Sequence, residues 1–399
     1  MIAENDVNHA IVFDIGSGTT QVGFAGEVLP MYSIPSVAAK SSDIQFDEAT
    51  QKYSFEDNSL FSTSPSPELI NFFDSDYNFA DSNAIVDLFQ ASHERLNVSE
   101  PSEHSALFSS PAYLSRNDQI IEWYKVLSEI AFNVFNYRSI SISPDAILSS
   151  YAHCFQTATV VDFGWSSTRI VPIIEGKIPN QESTQVHLIG GFALTQLFLQ
   201  QLQARHITLT SPSSLTPEQK RLYDRKSILE ILKQNCTFSS EPSESDYCAF
   251  INGNRQIDLH SEISLISSLH WISSNPLSSE DSEKNDQSEI VLTPIPELVE
   301  KAISSSTQKT TLWHNIVTSG GFSTLDSYID RLQTEISNFV KDGSIKPRVH
   351  FPMHKLNGGE YTVWTGGSIL ASSDIFPHFC VTKQEWEENG EDILRIKFH

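Results

Sequence analysis

At 399 residues, with 39% hydrophobic and 10% aromatic residues, the chain is long enough for two domains and a substantial core. A net charge of −24 excludes an extended basic patch for DNA, and no apolar run nears the roughly 20 residues that span a bilayer. Four cysteines without a Cys-x-x-Cys unit and a polar, acidic start (Met1 to His9) predict reduced thiols, no signal peptide and a cytosolic or nuclear compartment.

Ala10-Ile11-Val12-Phe13 reads as a buried strand that runs into Asp14. Gly16 and Gly18 tighten the chain around Ser17, and a return strand resumes at Val22 and closes at Gly26. Such a hairpin turns backbone amides outward, where they can hold a phosphate, beside a carboxylate that can face the water shell of magnesium. Residues 40 to 80 are polar, acidic and serine-rich, with no hydrophobic tongue suited to filament contacts. A helix is expected from Ser115, which caps it with Asp118 in capping-box position. Ile120, Tyr124, Leu127, Ala131 and Val134 would form its core face. Pro144 suits the start of another helix, from Asp145 to Cys154.

Thr159 to Gly164 then repeats the first construction: an apolar strand, Asp162, and a glycine two residues on. Its return strand runs from Thr168 to Ile174 and ends at Glu175-Gly176. Two such hairpins in one chain predict two similar halves facing each other across a nucleotide cleft. After Gly190-Gly191 comes a helix with Leu194, Leu197, Phe198 and Leu202 as its apolar stripe. The acidic, serine-rich segments 239–246 and 278–289 read as exposed loops. Ile329, Leu332, Ile336 and Phe339 mark a last amphipathic helix after the Gly320-Gly321 turn.

Several stretches, in order, resemble the motifs of actin and the actin-related proteins, within the larger actin, hexokinase and chaperone ATPase fold. They are Asp14 to Gly26, Ile34-Pro35-Ser36, Asp162-Phe163-Gly164, Ser319-Gly320-Gly321, Trp364 to Ala371, and Lys383-Gln384-Glu385-Trp386. The resemblance implies an α/β fold of two similar lobes flanking a nucleotide cleft. The first lobe would be 1–152, with a small subdomain at about 40–80. The second would be 153–354, with a small subdomain at about 191–289, and 355–399 would return to the first.

By the same resemblance, Gly16, Ser17, Gly18, Asp162, Gly164, Gly191, Lys233, Gly320 and Gly321 would line the nucleotide. Asp14 and Asp162 would face Mg2+ through water. The departures from the family pattern matter more. Gln21 replaces a lysine, and a neutral amide cannot offset phosphate charge. Trp165 and Ser166 replace an Asp and a Gly, so an indole would narrow the γ-phosphate space. Asp145 stands where a glutamine orients water, and Glu360 stands at a lysine position on the adenine side. Hydrolysis is not expected, and ATP with Mg2+ could be bound or absent.

The family's other surface is a groove at the base of the molecule, which Tyr151, Ile369, Leu370, Ile375, Phe376 and Phe379 would line. An apolar groove rimmed by acid suits an amphipathic basic helix, with ordinary core packing as the plain alternative. The resemblance is to divergent nuclear members of SWI/SNF- and RSC-like chromatin-remodelling complexes. It implies a non-catalytic nuclear subunit that binds the basic helicase-SANT-associated helix of a remodeller ATPase. A second actin-related protein would bind beside it, and the nucleosome would be touched only indirectly. The alternatives are a cytoskeletal role such as a dynactin pointed-end subunit, and an active actin-like ATPase.

Overall fold

A computed structural model describes residues 10–40, 53–74, 77–112, 117–207, 209, 211–235, 249–252, 255–258, 270–271, 292–325, 327–351 and 358–398. The expected cap Ser115 and the acidic segments 239–246 and 278–289 lie outside the described residues, as does the stretch from 41 to 52. Two compact units divide the chain. One comprises Met1–Cys154, Ser214–Gln219 and Tyr361–His399; the other comprises Phe155–Ser213 and Lys220–Glu360.

In the first unit β1 (Ile11–Ile15) pairs antiparallel with β2 (Thr19–Phe24), which pairs antiparallel with β3 (Tyr32–Pro35). Ile11, Phe13 and Ile15 enter one core cluster, while Ala10 and Val12 enter another on the opposite face. Both faces are covered, so the strand reads as an unbroken apolar run rather than an alternating one. Val37–Lys40 lies between Tyr53–Ser54 and Glu68–Asn71 in a small separate sheet. Helix α1 (Ser82–Leu96) delivers Phe89, which stacks at 5.2 Å and 4° on Phe108 of β4 (Ser105–Ser110). β4 runs parallel to β1, and β5 (Ser139–Pro144) parallel to β4.

The helix expected after residue 115 is α2 (Asn117–Glu129), continued by a π-helical turn over Ile130–Val134. Tyr124, Leu127 and Ala131 are buried as expected, but Val134 is exposed. The wider turn puts the last residue out of phase with the 3.6-residue stripe. Helix α3 (Asp145–Ala152) ends two residues before Cys154, which takes a left-handed conformation.

The second unit repeats the plan. β6 (Ala158–Phe163) pairs antiparallel with β7 (Thr168–Ile173), which pairs antiparallel with β8 (Gln185–His187). Leu194, Leu197, Phe198 and Leu202 of α4 (Gly191–Ala204) are buried together with Ile228, Ile231 and Leu232 of α5 (Pro217–Asn235). β9 (Ile316–Ser319) runs parallel to β6; Leu332 and Ile336 of α6 (Tyr328–Phe339) are buried, whereas Phe339 is exposed at the helix end. β10 (Val349–His350) runs parallel to β9. The strand order is therefore β3-β2-β1-β4-β5 in the first unit and β8-β7-β6-β9-β10 in the second. The two halves expected from the repeated hairpin are two copies of one topology.

The chain returns to the first unit through α7 (Thr362–Ala371), whose Trp364 indole donates to the Val12 carbonyl at 3.2 Å. A Cβ on Gly366 would lie 1.8 Å from the Leu148 carbonyl oxygen, so α7 meets α3 with backbone almost on backbone. β11 (Val381–Thr382) adds to β5, and α8 (Lys383–Asn389) starts with a capping box between Thr382 and Glu385. Its Trp386 stacks on Phe132 at 5.7 Å. No helix among the described residues is long and apolar enough to cross a membrane.

Candidate functional site

The two hairpins share one turn. In the first unit the Gly16 amide donates to the Thr19 carbonyl at 3.1 Å. In the second unit the Gly164 amide donates to the Ser167 carbonyl, also at 3.1 Å. Each bond closes a four-residue loop and leaves the acidic residue two positions before the glycine.

In the first unit Ser36 grips the loop. Its hydroxyl donates to the Gly16 carbonyl at 2.5 Å and its amide to the Gly18 carbonyl at 3.1 Å. That is the structural work of Ile34-Pro35-Ser36. Ser17, between these glycines, is half-buried. Asp14, also half-buried, accepts from the Ser109 hydroxyl at 2.8 Å, and that hydroxyl accepts from the Ile15 amide at 2.9 Å. Across the hairpin from Asp14 stands Gln21, only 2% exposed, whose amide nitrogen donates to Thr19 Oγ1 at 3.2 Å. Among the described residues, Gln21 Oε1 is buried without a hydrogen-bond partner. Asp145 begins α3 and accepts from the Ala112 amide at 3.0 Å, which ties the end of β4 to the helix start.

In the second unit the residue across from the carboxylate is Arg169. Its Nη2 donates to Asp162 Oδ2 at 2.5 Å, with side-chain exposures of 20% and 9%. Sequence reasoning missed this pair, although its signal was present: residues 162 and 169 are equidistant from the turn, so hairpin register puts them opposite. Ser319 of β9 lies beside Asp162 on the other flank. Gly320 follows with φ +87°, and a Cβ there would lie 2.2 Å from the Phe163 carbonyl oxygen and 2.9 Å from Asp162 Oδ1. Only glycine fits there.

Trp165 is half-buried against the core, its ring centroid 5.9 Å from Phe192 and 6.2 Å from Phe322. The indole is thus part of the unit's packing. The first amides of α4 are also engaged. Gly191 donates to the Gly164 carbonyl at 2.9 Å and Phe192 to the Trp165 carbonyl at 2.6 Å. Lys233, near the end of α5, pairs with Glu360 at 3.2 Å, and Glu360 Cγ is 3.9 Å from where a Cβ on Gly321 would sit. A position kept from the family pattern, Lys233, and a departure from it, Glu360, are partners.

Behind the second hairpin lies another feature that the sequence did not reveal. The His270 ring packs on Phe163 at 4.3 Å and on His187 at 5.0 Å, and Tyr328 Oη approaches His270 Nδ1 at 3.4 Å. Burial, with His187 adding to it, holds His270 well below the usual 6.5, and burial pushes His187 down to about 4. Both rings are neutral at neutral pH.

A magnesium ion held through water needs a carboxylate whose charge remains available to the metal's shell. Asp162 is already neutralised by a guanidinium, and the Gly164, Gly191 and Phe192 amides are committed to carbonyls of the chain. The Asp162 carboxylate as folded does not fit a magnesium ion held through water.

The expected partner groove needs correction. Ile369, Ile375 and Phe379 are 45%, 55% and 41% exposed, but Leu370 and Phe376 are buried in the core that includes Val12, Leu107 and Trp364. Helix phase explains the first: Trp364, Gly367, Ser368 and Ala371 form the inward stripe of α7, Leu370 completes its flank, and Ile369 faces out. Phe376 turns inward in the short 3₁₀ segment Phe376–Phe379. Tyr151 packs half-buried on the same core. The Ser368 hydroxyl donates to the Glu27 carbonyl at 2.8 Å, which brings exposed Val28 and Leu29 to the same end of α7.

The chain is 26% identical over 437 residues to actin-related protein 3 of Dictyostelium discoideum, covering 97% of this chain and 96% of that protein. It is 24% identical over 401 residues to human actin-like protein 7B, covering 97% and 88% respectively. It is 24% identical over 436 residues to actin-related protein 4 of Schizosaccharomyces pombe, covering 97% and 96%. With the family model described as Actin matching residues 5–399, the duplicated sheet and paired hairpins have one source: the chain belongs to the actin family.

Proposed function

We propose that this chain is a non-catalytic actin-related subunit of a nuclear chromatin-remodelling complex. In this reading it binds a basic amphipathic helix of the remodeller ATPase, with a second actin-related protein alongside. The observation that carries the proposal is the exposed apolar set Ile369, Ile375 and Phe379, backed by buried Leu370 and Phe376, on a chain of net charge −24. Apolar anchors in an acidic field favour a helix with one apolar and one basic face. The non-catalytic part is supported by the Asp162–Arg169 pair, by Gln21 across from Asp14, and by Asp145 bound to the Ala112 amide. The relatives named above match at nearly equal identity and favour no single role.

Affinity purification from native cells followed by mass spectrometry tests the proposal. Peptides of a remodeller ATPase and of another actin-related protein are expected. Dynactin peptides in their place would overturn it in favour of a cytoskeletal role.

A further inference from the structure

We propose that Arg169 is a built-in counter-ion for Asp162, so that the second unit keeps its fold with neither metal nor nucleotide. The proposal goes beyond the choice of partner and stands whichever complex the chain joins. Asp162 is 7% exposed and flanked by β7 on one side and β9 on the other. A carboxylate buried this deeply is costly to keep charged without a partner. Magnesium is one possible partner, and this chain carries another on the neighbouring strand. Arg169 stands directly opposite on the hairpin, and its Nη2 meets Oδ2 at 2.5 Å. Directly opposed strand positions are neighbours at every moment the hairpin is paired, so the cation cannot diffuse away.

The surroundings agree with an internally satisfied site. Oδ1 of Asp162 faces the backbone at Gly320, where even a Cβ would come within 2.9 Å. The first two amides of α4, those of Gly191 and Phe192, donate to the Gly164 and Trp165 carbonyls, which ties the helix start to the hairpin. Beside the neighbouring Gly321, Lys233 and Glu360 form a second ion pair at 3.2 Å. In the first unit the residue opposite the carboxylate is neutral Gln21. Asp14 is less buried, accepts from a hydroxyl, and faces a neutral amide.

The test is thermal unfolding of the purified full chain in buffer, in excess EDTA, in Mg2+ alone and in Mg–ATP, for the wild type, Arg169→Ala and the double variant Arg169→Ala/Asp162→Asn. The wild-type Tm is expected to be the same in all four conditions. A ligand at 100 times its Kd would instead raise it by roughly 5 °C or more. Arg169→Ala is expected to lower Tm by roughly 5 °C or more and to regain part of the loss in Mg2+ alone. The double variant should recover Tm and be indifferent to Mg2+. A wild-type Tm that falls in EDTA or rises by several degrees in Mg–ATP overturns the proposal. So does an Arg169→Ala protein that is as stable as wild type or insensitive to Mg2+. Should Arg169→Ala fail to fold, the wild-type measurements decide alone.

Discussion

In the first unit Asp14 faces Gln21 and in the second Asp162 faces Arg169, across hairpins closed by the same glycine-to-carbonyl bond at 3.1 Å. The turn geometry is set by the backbone and survives in both copies. The chemistry is set by the residue opposite the carboxylate, and there the copies have diverged. The first hairpin is held by Ser36 and Ser109 and keeps a half-buried carboxylate. The second is locked from several sides by Arg169, Gly320, the first amides of α4 and the buried His270. A duplicated fold can thus keep its scaffold in both halves while one half replaces an external cation with its own.

The sharpest way to break this contrast is Gly320→Ala. Its positive φ and the overlap with the Phe163 carbonyl should cost about 3 kcal/mol or more. Denaturant unfolding checks the total, and hydrogen exchange should place the loss in the second unit. A harmless Gly320→Ala would mean that the second hairpin is no more tightly interlocked than the first.

Acid sharpens the contrast through the buried histidines. His187 and His270 in the second unit and His93 in the first are all held below 6.5 by burial, His187 and His93 to about 4. His104 adds to the effect at His93, which bonds Tyr137 at 2.5 Å. The folded rings stay neutral while the unfolded rings take up protons. Stability is therefore intact above pH 6.5 and is lost as the pH falls towards 4. At pH 5 each histidine should cost roughly 2 kcal/mol. Hydrogen exchange at pH 5 against pH 7 should show the second unit, with two such rings, opening more than the first. Equal opening would dissolve the contrast. The smallest effect is expected of Lys233→Ala. The Lys233–Glu360 side chains are 31% and 27% exposed, and the change should be under about 1 kcal/mol by denaturant titration.

Much of this architecture is legible in the residues. The strand–Asp–x–Gly pattern places both hairpins, and the stripe of Leu194, Leu197, Phe198 and Leu202 places α4, because apolar periodicity is a local property. The Asp162–Arg169 pair was legible too, through register. Compared one position at a time with a family motif, however, residue 169 draws no attention. Helix phase on α7 likewise separates Leu370 from Ile369 once the inward stripe from Trp364 to Ala371 is counted. The exposed Val134 was not legible, since a π-helical turn leaves no periodic mark. Nor were the Lys233–Glu360 pair, 127 residues apart, or the His187–His270 contact: nothing local says which distant side chains will meet.

The most direct test of the central claim, that this actin-family chain keeps the hairpins without their phosphate chemistry, is steady-state ATP hydrolysis by the purified protein with Mg2+. The account predicts a rate indistinguishable from that of the buffer. Turnover clearly above background that is abolished by Asp162→Asn or Asp145→Ala would contradict it.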